Sequence, residues 1–160
     1  MRFTYIGLGS NLGDRMGLLR AGIRLLRRSG TLLDSSSVYE TEAWGLADQP
    51  RFLNAVVLLA TQLGPVSLLG ALKRAEAPFA RSSQRWGPRE LDLDILLYGG
   101  VRVKLPFLEI PHPRMAERGF VMAPLCELLG RGWPSLGHPA KCNEIPGPPA
   151  RFLAGKEAIL

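Results

Sequence analysis

Hydrophobic and polar positions change period along this chain, and the changes predict its elements. Phe3 to Leu8 alternates and predicts a strand. Leu19, Ile23 and Leu26 then fall at helical spacing, with Arg20, Arg24 and Arg27 on the opposite side, so a helix should bury one stripe and solvate the other. Asn11 or Asp14 is placed to cap it, and Ser29-Gly30-Thr31 to end it. Ser35 to Thr41 predicts a second strand. Asn54 to Gln62, with Ala55-Val56-Val57-Leu58-Leu59-Ala60, predicts a third that is buried on both faces. Pro65 suits the first turn of a second helix whose inner face is Val66, Leu69, Leu72 and Glu76. Lys73 and Glu76 are spaced to pair at the surface. Leu91, Leu93, Ile95 and Leu97 alternate with Asp92, Asp94, Leu96 and Tyr98 in a fourth long strand. Gly99-Gly100 turns the chain toward a short hairpin begun by Val101-Arg102-Val103, and Pro124 opens a last helix running to Leu129. From Gly130 on, glycine and proline dominate.

The order β-α-β-β-α-β predicts an α+β fold with helices on a largely antiparallel sheet. The length, 160 residues, suits one domain: residues 1–130 as the folded unit, and 131–160 as a Pro/Gly-rich extension packed on it or trailing from it. With 46% hydrophobic and 21% charged residues the composition is that of a globular protein, and no apolar run reaches membrane-spanning length. No secretory segment leads into the first strand, so a cytoplasmic protein is expected, and Cys126 and Cys142 are expected to be free thiols. The net charge of +6 raises nucleic-acid binding as a reading. Basic residues nowhere run beyond Arg27-Arg28 or Lys73-Arg74, and aromatics are not interleaved with them, so a polyphosphate substrate fits the charge at least as well.

The strand alternation puts Asp92 and Asp94 on one face with Cα atoms about 6.5–7 Å apart, from a rise of roughly 3.3 Å per residue. Aspartate is a poor strand residue, and two carboxylates so placed can hold one or two hard cations such as Mg²⁺. The stretch before them carries Arg85, Trp86, Gly87-Pro88 and Arg89: a turn with two guanidinium forks and a flat ring. Arginines opening onto such a strand suit phosphoryl transfer from a Mg-nucleotide, which needs positioning and charge neutralisation. Phe52 and Asn54 face one way, as a ring and an amide edge for a flat heterocycle, or equally as a core ring and a turn-capping amide. His112, in the rigid run Ile110-Pro111-His112-Pro113, can donate to phosphate. Lone histidines more often serve structure.

Five stretches together resemble one family. They are Tyr5-Ile6-Gly7-Leu8-Gly9-Ser10-Asn11-Leu12-Gly13-Asp14, Asp48-Gln49-Pro50-Arg51-Phe52-Leu53-Asn54-Ala55, Arg85 to Tyr98, Pro111-His112-Pro113-Arg114-Met115 and Arg118-Gly119-Phe120. In order and spacing they resemble the 6-hydroxymethyl-7,8-dihydropterin pyrophosphokinases of folate biosynthesis. The resemblance implies a ferredoxin-like βαββαβ core, layered α/β/α. It implies transfer of the diphosphoryl group of ATP to 6-hydroxymethyl-7,8-dihydropterin by a monomer that binds no nucleic acid or membrane. It implies two Mg²⁺ ions on Asp92 and Asp94, with Arg81 and Arg89 stabilising the transition state. Lys73, Glu76, Arg85, Trp86, Ile95, His112 and Arg118 would meet ATP; Thr41, Glu42, Trp44, Phe52, Asn54 and Phe120 would meet the pterin. The chain departs from the family's usual residues at Glu42, Trp44, Lys73, Ala80, Ser83 and Pro113. Two other readings predict different behaviour: a basic nucleotide- or RNA-binding module without turnover, and an Asp-x-Asp transferase acting on a nucleotide sugar.

Overall fold

A computed structural model of the chain describes residues 1–42, 48–79 and 90–160. The first alternating segment forms β1 (Arg2–Ser10), and the doubly apolar segment forms β4 (Phe52–Thr61) beside it, paired from Arg2 with Thr61 to Ser10 with Leu53. On the other side of β1 lies β5 (Asp92–Tyr98), and beyond β4 lies β3 (Val38–Thr41). The short β2 (Thr31–Ser35) also pairs with β4. β6 (Val103–Leu105) and β7 (Leu108–Ile110) make a separate hairpin, and β8 (Arg151–Ala154) adds a further strand outside β3. Every pairing among the described strands is antiparallel.

Helices cover both faces, as the ferredoxin-like expectation requires. On one face α1 (Arg15–Leu26) and α2 (Pro65–Glu76) bury Leu19, Ile23, Leu26, Leu68 and Leu72 against Ile6, Leu8, Leu93 and Ile95. On the other, α3 (Gly119–Gly130) packs Met122, Leu125 and Leu128 on Tyr5, Val56, Leu58 and Leu97. Asp14 caps α1 by accepting the Gly17 N–H at 3.0 Å. Asn11 is used elsewhere and donates to Gln49 and the Pro50 carbonyl.

Several expectations are corrected. The segment 35–41 is two strands, because Ser36 and Ser37 divert the backbone bonding. Ser36 Oγ accepts the Val56 N–H at 2.9 Å, and the Ser37 N–H is taken by the Glu127 carboxylate. The inner stripe of α2 is Leu68, Leu72 and Glu76, one helical turn apart, and Val66 is exposed. The last helix starts at Gly119, and Pro124 sits inside it. Cys126 and Cys142 are joined in a disulfide, because the chain beyond α3 returns past that helix and brings their Cα atoms to 5.6 Å. Part of the arginine stripe is also engaged: Arg20 Nε donates to the Ala158 carbonyl.

The alternation of β5 is broken by a bulge. Tyr5 pairs with Leu97 and Ile6 with Ile95, so Leu96 has no partner on β1. Leu96 stays on the aspartate face and Leu97 joins it there, while Tyr98 turns to the opposite face and donates its hydroxyl to the Leu63 carbonyl. No helix among the described residues is long and apolar enough to cross a membrane.

Candidate active site

Among the described residues, the α3 face of the sheet is covered at one end only. Met122, Leu125 and Leu128 lie over Tyr5, Leu58 and Leu97, and the other end of the same face is left open. A cavity of about 380 Å³ occupies it. Its floor is Gly7 and Gly9 on β1, two positions on the pocket side that carry no side chain. Asp94 lies directly across from Gly7 in the sheet, and Asp92 across from Gly9. On the other flank, β4 contributes Phe52, Asn54 and Val56. The walls come from Thr41 at the end of β3 and Glu42 just after it, from Lys73 of α2, and from His112, Pro113, Arg114, Arg118 and Phe120.

At one end the lining suits a flat, hydrogen-bonding ring. Asn54 Nδ2 donates to Thr41 Oγ1 at 2.9 Å, which fixes the amide so that its oxygen lies over Gly9. A Cβ on Gly9 would stand 3.2 Å from that oxygen, so the glycine is what leaves the carbonyl open to the cavity. Phe52 and Phe120 supply ring surface, and the Arg118 guanidinium lies 5.7 Å from the Phe120 ring centroid.

The other end concentrates charge. Arg118 is buried, which lowers its pKa, while the Asp94 and Asp92 carboxylates act in the opposite sense and favour its charged form. Burial, then the positive field of Arg118, pushes the His112 pKa down to about 4, so this ring is neutral near pH 7. Its Nδ1 accepts the Arg114 N–H at 3.3 Å, which puts the ring proton on Nε2. The ring is therefore a neutral hydrogen-bond donor beside two arginines.

Glu76 holds the aspartate strand from its outer edge. Leu93, between the two aspartates, points its N–H away from β1, and Glu76 Oε1 accepts it at 2.9 Å. The other carboxylate oxygen takes Lys73 Nζ at 3.3 Å. Burial, and next the Asp92 charge, raise the Glu76 pKa. The expected pair with Lys73 thus forms, but on a glutamate that is buried.

Such a site, on an antiparallel sheet layered between helices, is that of an α+β protein whose cavity joins aromatic and amide walls to charged ones. Residues 5–130 match the family 7,8-dihydro-6-hydroxymethylpterin-pyrophosphokinase (HPPK), and the chain belongs to it. It is 46% identical over 128 residues to a 2-amino-4-hydroxy-6-hydroxymethyldihydropteridine pyrophosphokinase of Bacillus subtilis, covering 78% of this chain and 77% of that one. It is 50% identical over 127 residues to the mitochondrial folate synthesis bifunctional protein of Pisum sativum, covering 78% of this chain. The chain spans about a quarter of that plant protein's length, 25%. Among solved structures, a Plasmodium falciparum HPPK-DHPS has the same fold with a TM-score of 0.62 at 16% identity, over 79% of this chain and 41% of that one.

The structure brings Thr41, Glu42, Phe52, Asn54, Lys73, Asp92, Asp94, His112, Arg118 and Phe120 to one cavity. Ile95 is not among them: its side chain is buried in the core on the opposite face, with Leu93. Glu76 touches the strand's backbone. Trp44, Arg81, Arg85, Trp86 and Arg89 lie outside the described residues. Sequence reasoning missed Gly7, Gly9 and Arg114. The signal for the glycines was their spacing by two within an apolar strand, which marks a backbone that something must approach closely.

Proposed function

We propose that this chain transfers the β,γ-diphosphoryl group of ATP to the 6-hydroxymethyl oxygen of 6-hydroxymethyl-7,8-dihydropterin. The products are AMP and the pterin diphosphate, in a step of tetrahydrofolate biosynthesis. The observation that carries this reading is one continuous cavity with a ring-binding end at Phe52, Asn54 and Phe120 and a charged end at Asp92, Asp94, His112 and Arg118. An acceptor alcohol and a polyphosphate donor can meet there within one enclosure.

The chain's own groups have distinct tasks. Phe52 and Phe120 stack on the pterin, and Asn54 accepts from its N–H edge over Gly9. His112 donates Nε2–H to a phosphate oxygen without adding charge, and Arg114 and Arg118 bring charge to the leaving and transferred groups. Lys73 reaches the same anion from the rim. Asp92 and Asp94 fit Mg²⁺: they are hard oxygen donors that share the pocket face. Among the described residues no third carboxylate, histidine or cysteine joins them in a closed cage, which leaves coordination positions for phosphate oxygens and water. When bound, two such ions would neutralise charge on the diphosphoryl group and lower the pKa of the attacking hydroxyl. Arg81 and Arg89, carried over from the family resemblance, add transition-state charge. Ordering the pocket excludes water that would otherwise take the diphosphoryl group. The enzyme acts as a cytoplasmic monomer in this reading.

The test is nucleotide consumption with ATP, Mg²⁺ and 6-hydroxymethyl-7,8-dihydropterin, separating AMP from ADP. AMP formed only when the pterin is present supports the reading. ADP as the product, or consumption indifferent to the pterin, refutes it.

A further inference from the structure

The Pro/Gly-rich segment that follows the family match lies across the back of the pterin end of the cavity. It touches two parts of the lining that are far apart in sequence. The first contact is at the start of α3. A Cβ on Gly119 would stand 2.3 Å from the Pro146 carbonyl oxygen and 3.3 Å from that of Pro148, so the segment rests on the one residue between Arg118 and Phe120. Gly147 makes the fit possible: its φ is +81°, and the space over it faces the Glu117 carbonyl and the Gly119 nitrogen.

The second contact follows within a few residues. β8 (Arg151–Ala154) pairs with β3, joining Tyr39 to Phe152 and Glu40 to Arg151. The Phe152 ring meets Tyr39 edge-on at 6.3 Å, and Arg151 Nη2 reaches Glu40 Oε1 at 2.8 Å. β3 ends at Thr41, the residue that fixes the Asn54 amide. From Pro148 to Arg151 the chain can span at most about 10 Å. The start of α3 and the end of β3 are therefore held together by a short, proline-bearing tether. Both ends of the segment are anchored: Cys142 to Cys126 of α3, and Ile159 in the main core with Lys156 Nζ on Asp34 at 2.7 Å.

We propose that residues 145–154 are a positioning element for the pterin end of the site. They touch no substrate. They hold Phe120, through Gly119, and Thr41 with Asn54, through β3, in the arrangement that receives the ring, so that binding need not order these walls. This rests on the pyrophosphokinase reading of the cavity. Of the nucleotide end only Arg118 adjoins the tether; Lys73, His112, Arg114, Asp92 and Asp94 belong to other segments, so that end is expected to depend on the tether far less.

Two variants of the 160-residue chain test it: Gly147→Val, which places a β-branched residue at a left-handed position, and the same change with Arg151→Glu, which sets two acids together across β3 and β8. Arg151 has a side chain 66% exposed, so its reversal leaves the core intact. Binding of 6-hydroxymethylpterin and of a non-hydrolysable ATP analogue with Mg²⁺ is measured by titration calorimetry, at a temperature where circular dichroism shows each variant folded. The double variant is expected to bind the pterin roughly tenfold or more weakly, with nucleotide affinity changed by less than about threefold. A lowered melting temperature with unchanged pterin affinity would overturn the proposal and leave the segment a stabilising element only. Equal loss of both ligands would overturn it as well. If the unaltered protein binds no pterin, the pyrophosphokinase reading fails, and this proposal fails with it.

Discussion

Replacing Glu76 by alanine deletes the acceptor of a buried N–H. Leu93 is 0% exposed and its N–H faces away from β1, so neither water nor the sheet can take the bond that Glu76 Oε1 accepts at 2.9 Å. An unsatisfied buried donor costs about 1–3 kcal/mol. For a chain of 160 residues each kcal/mol lowers the melting temperature by roughly 2–4 °C, so a central expectation is a fall of about 6 °C. Glu76→Gln keeps an acceptor oxygen and removes the charge, and should stay within about 1 kcal/mol of the parent. Turnover should follow the same order, because the unbonded N–H lies between Asp92 and Asp94 and its loss loosens the strand that aims them. The two variants also separate charge from bonding through pH. The Glu76 pKa is raised, by burial first and by Asp92 next, so the native state binds this proton more tightly than the unfolded chain. Ionising it therefore lowers stability as pH rises from the ordinary carboxyl value to the raised one, a contribution the Gln variant lacks. Urea denaturation of the three proteins at several pH values, with Mg²⁺-dependent AMP formation alongside, is the assay. Equal stability of the Ala and Gln variants would refute the reasoning, since it would mean that the bond to Leu93 does not hold the strand.

Asp94→Asn should fold normally and lose roughly a hundredfold or more in AMP formation, because a neutral amide holds Mg²⁺ poorly; near-parental turnover at saturating Mg²⁺ would contradict the metal assignment. For His112 the pKa falls from 6.5 to about 4 on folding, so the unfolded chain binds more protons between those values and stability drops as pH falls through that window, by about 3 kcal/mol at most. His112→Asn should lack this slope in urea midpoints taken between pH 7 and pH 4. Below it, Asp34 takes over: burial opposes its charge, but bonds from Lys156, Trp133, Ser35 and Arg131 prevail and bring its pKa from 3.8 to about 2, so its contribution is lost as pH falls through that range. Gly9→Ala puts a methyl 3.2 Å from Asn54 Oδ1 and should raise the KM for the pterin while leaving that for ATP nearly unchanged, a split that steady-state kinetics reads directly.

What the sequence determined by itself was local. A period of two placed Asp92 and Asp94 on one face, and Phe52 and Asn54 on another pair of neighbouring positions, because alternation along a strand depends only on backbone geometry. Helical spacing identified Leu19, Ile23 and Leu26 as an inner stripe for the same reason, and Asp14 as a cap. Membership of the family was legible in five short motifs, since their order and spacing are carried by the sequence alone. Tertiary structure decided what depends on distant partners. The bulge at Leu96 comes from the register against β1, and it sent Tyr98 to the face opposite the one its alternation with the aspartates implied. Spacing put Glu76 on the inner face of α2 as well as within reach of Lys73, but what it meets there was decided in space: the edge of β5 passes beside α2 and offers it an N–H. Gly7 and Gly9 become a floor only because α3 covers one end of that sheet face and leaves the other open. The disulfide and the strand at 151–154 formed in a segment whose composition suggested a loop, because pairing with β3 and a cysteine on α3 were available in space and not in sequence.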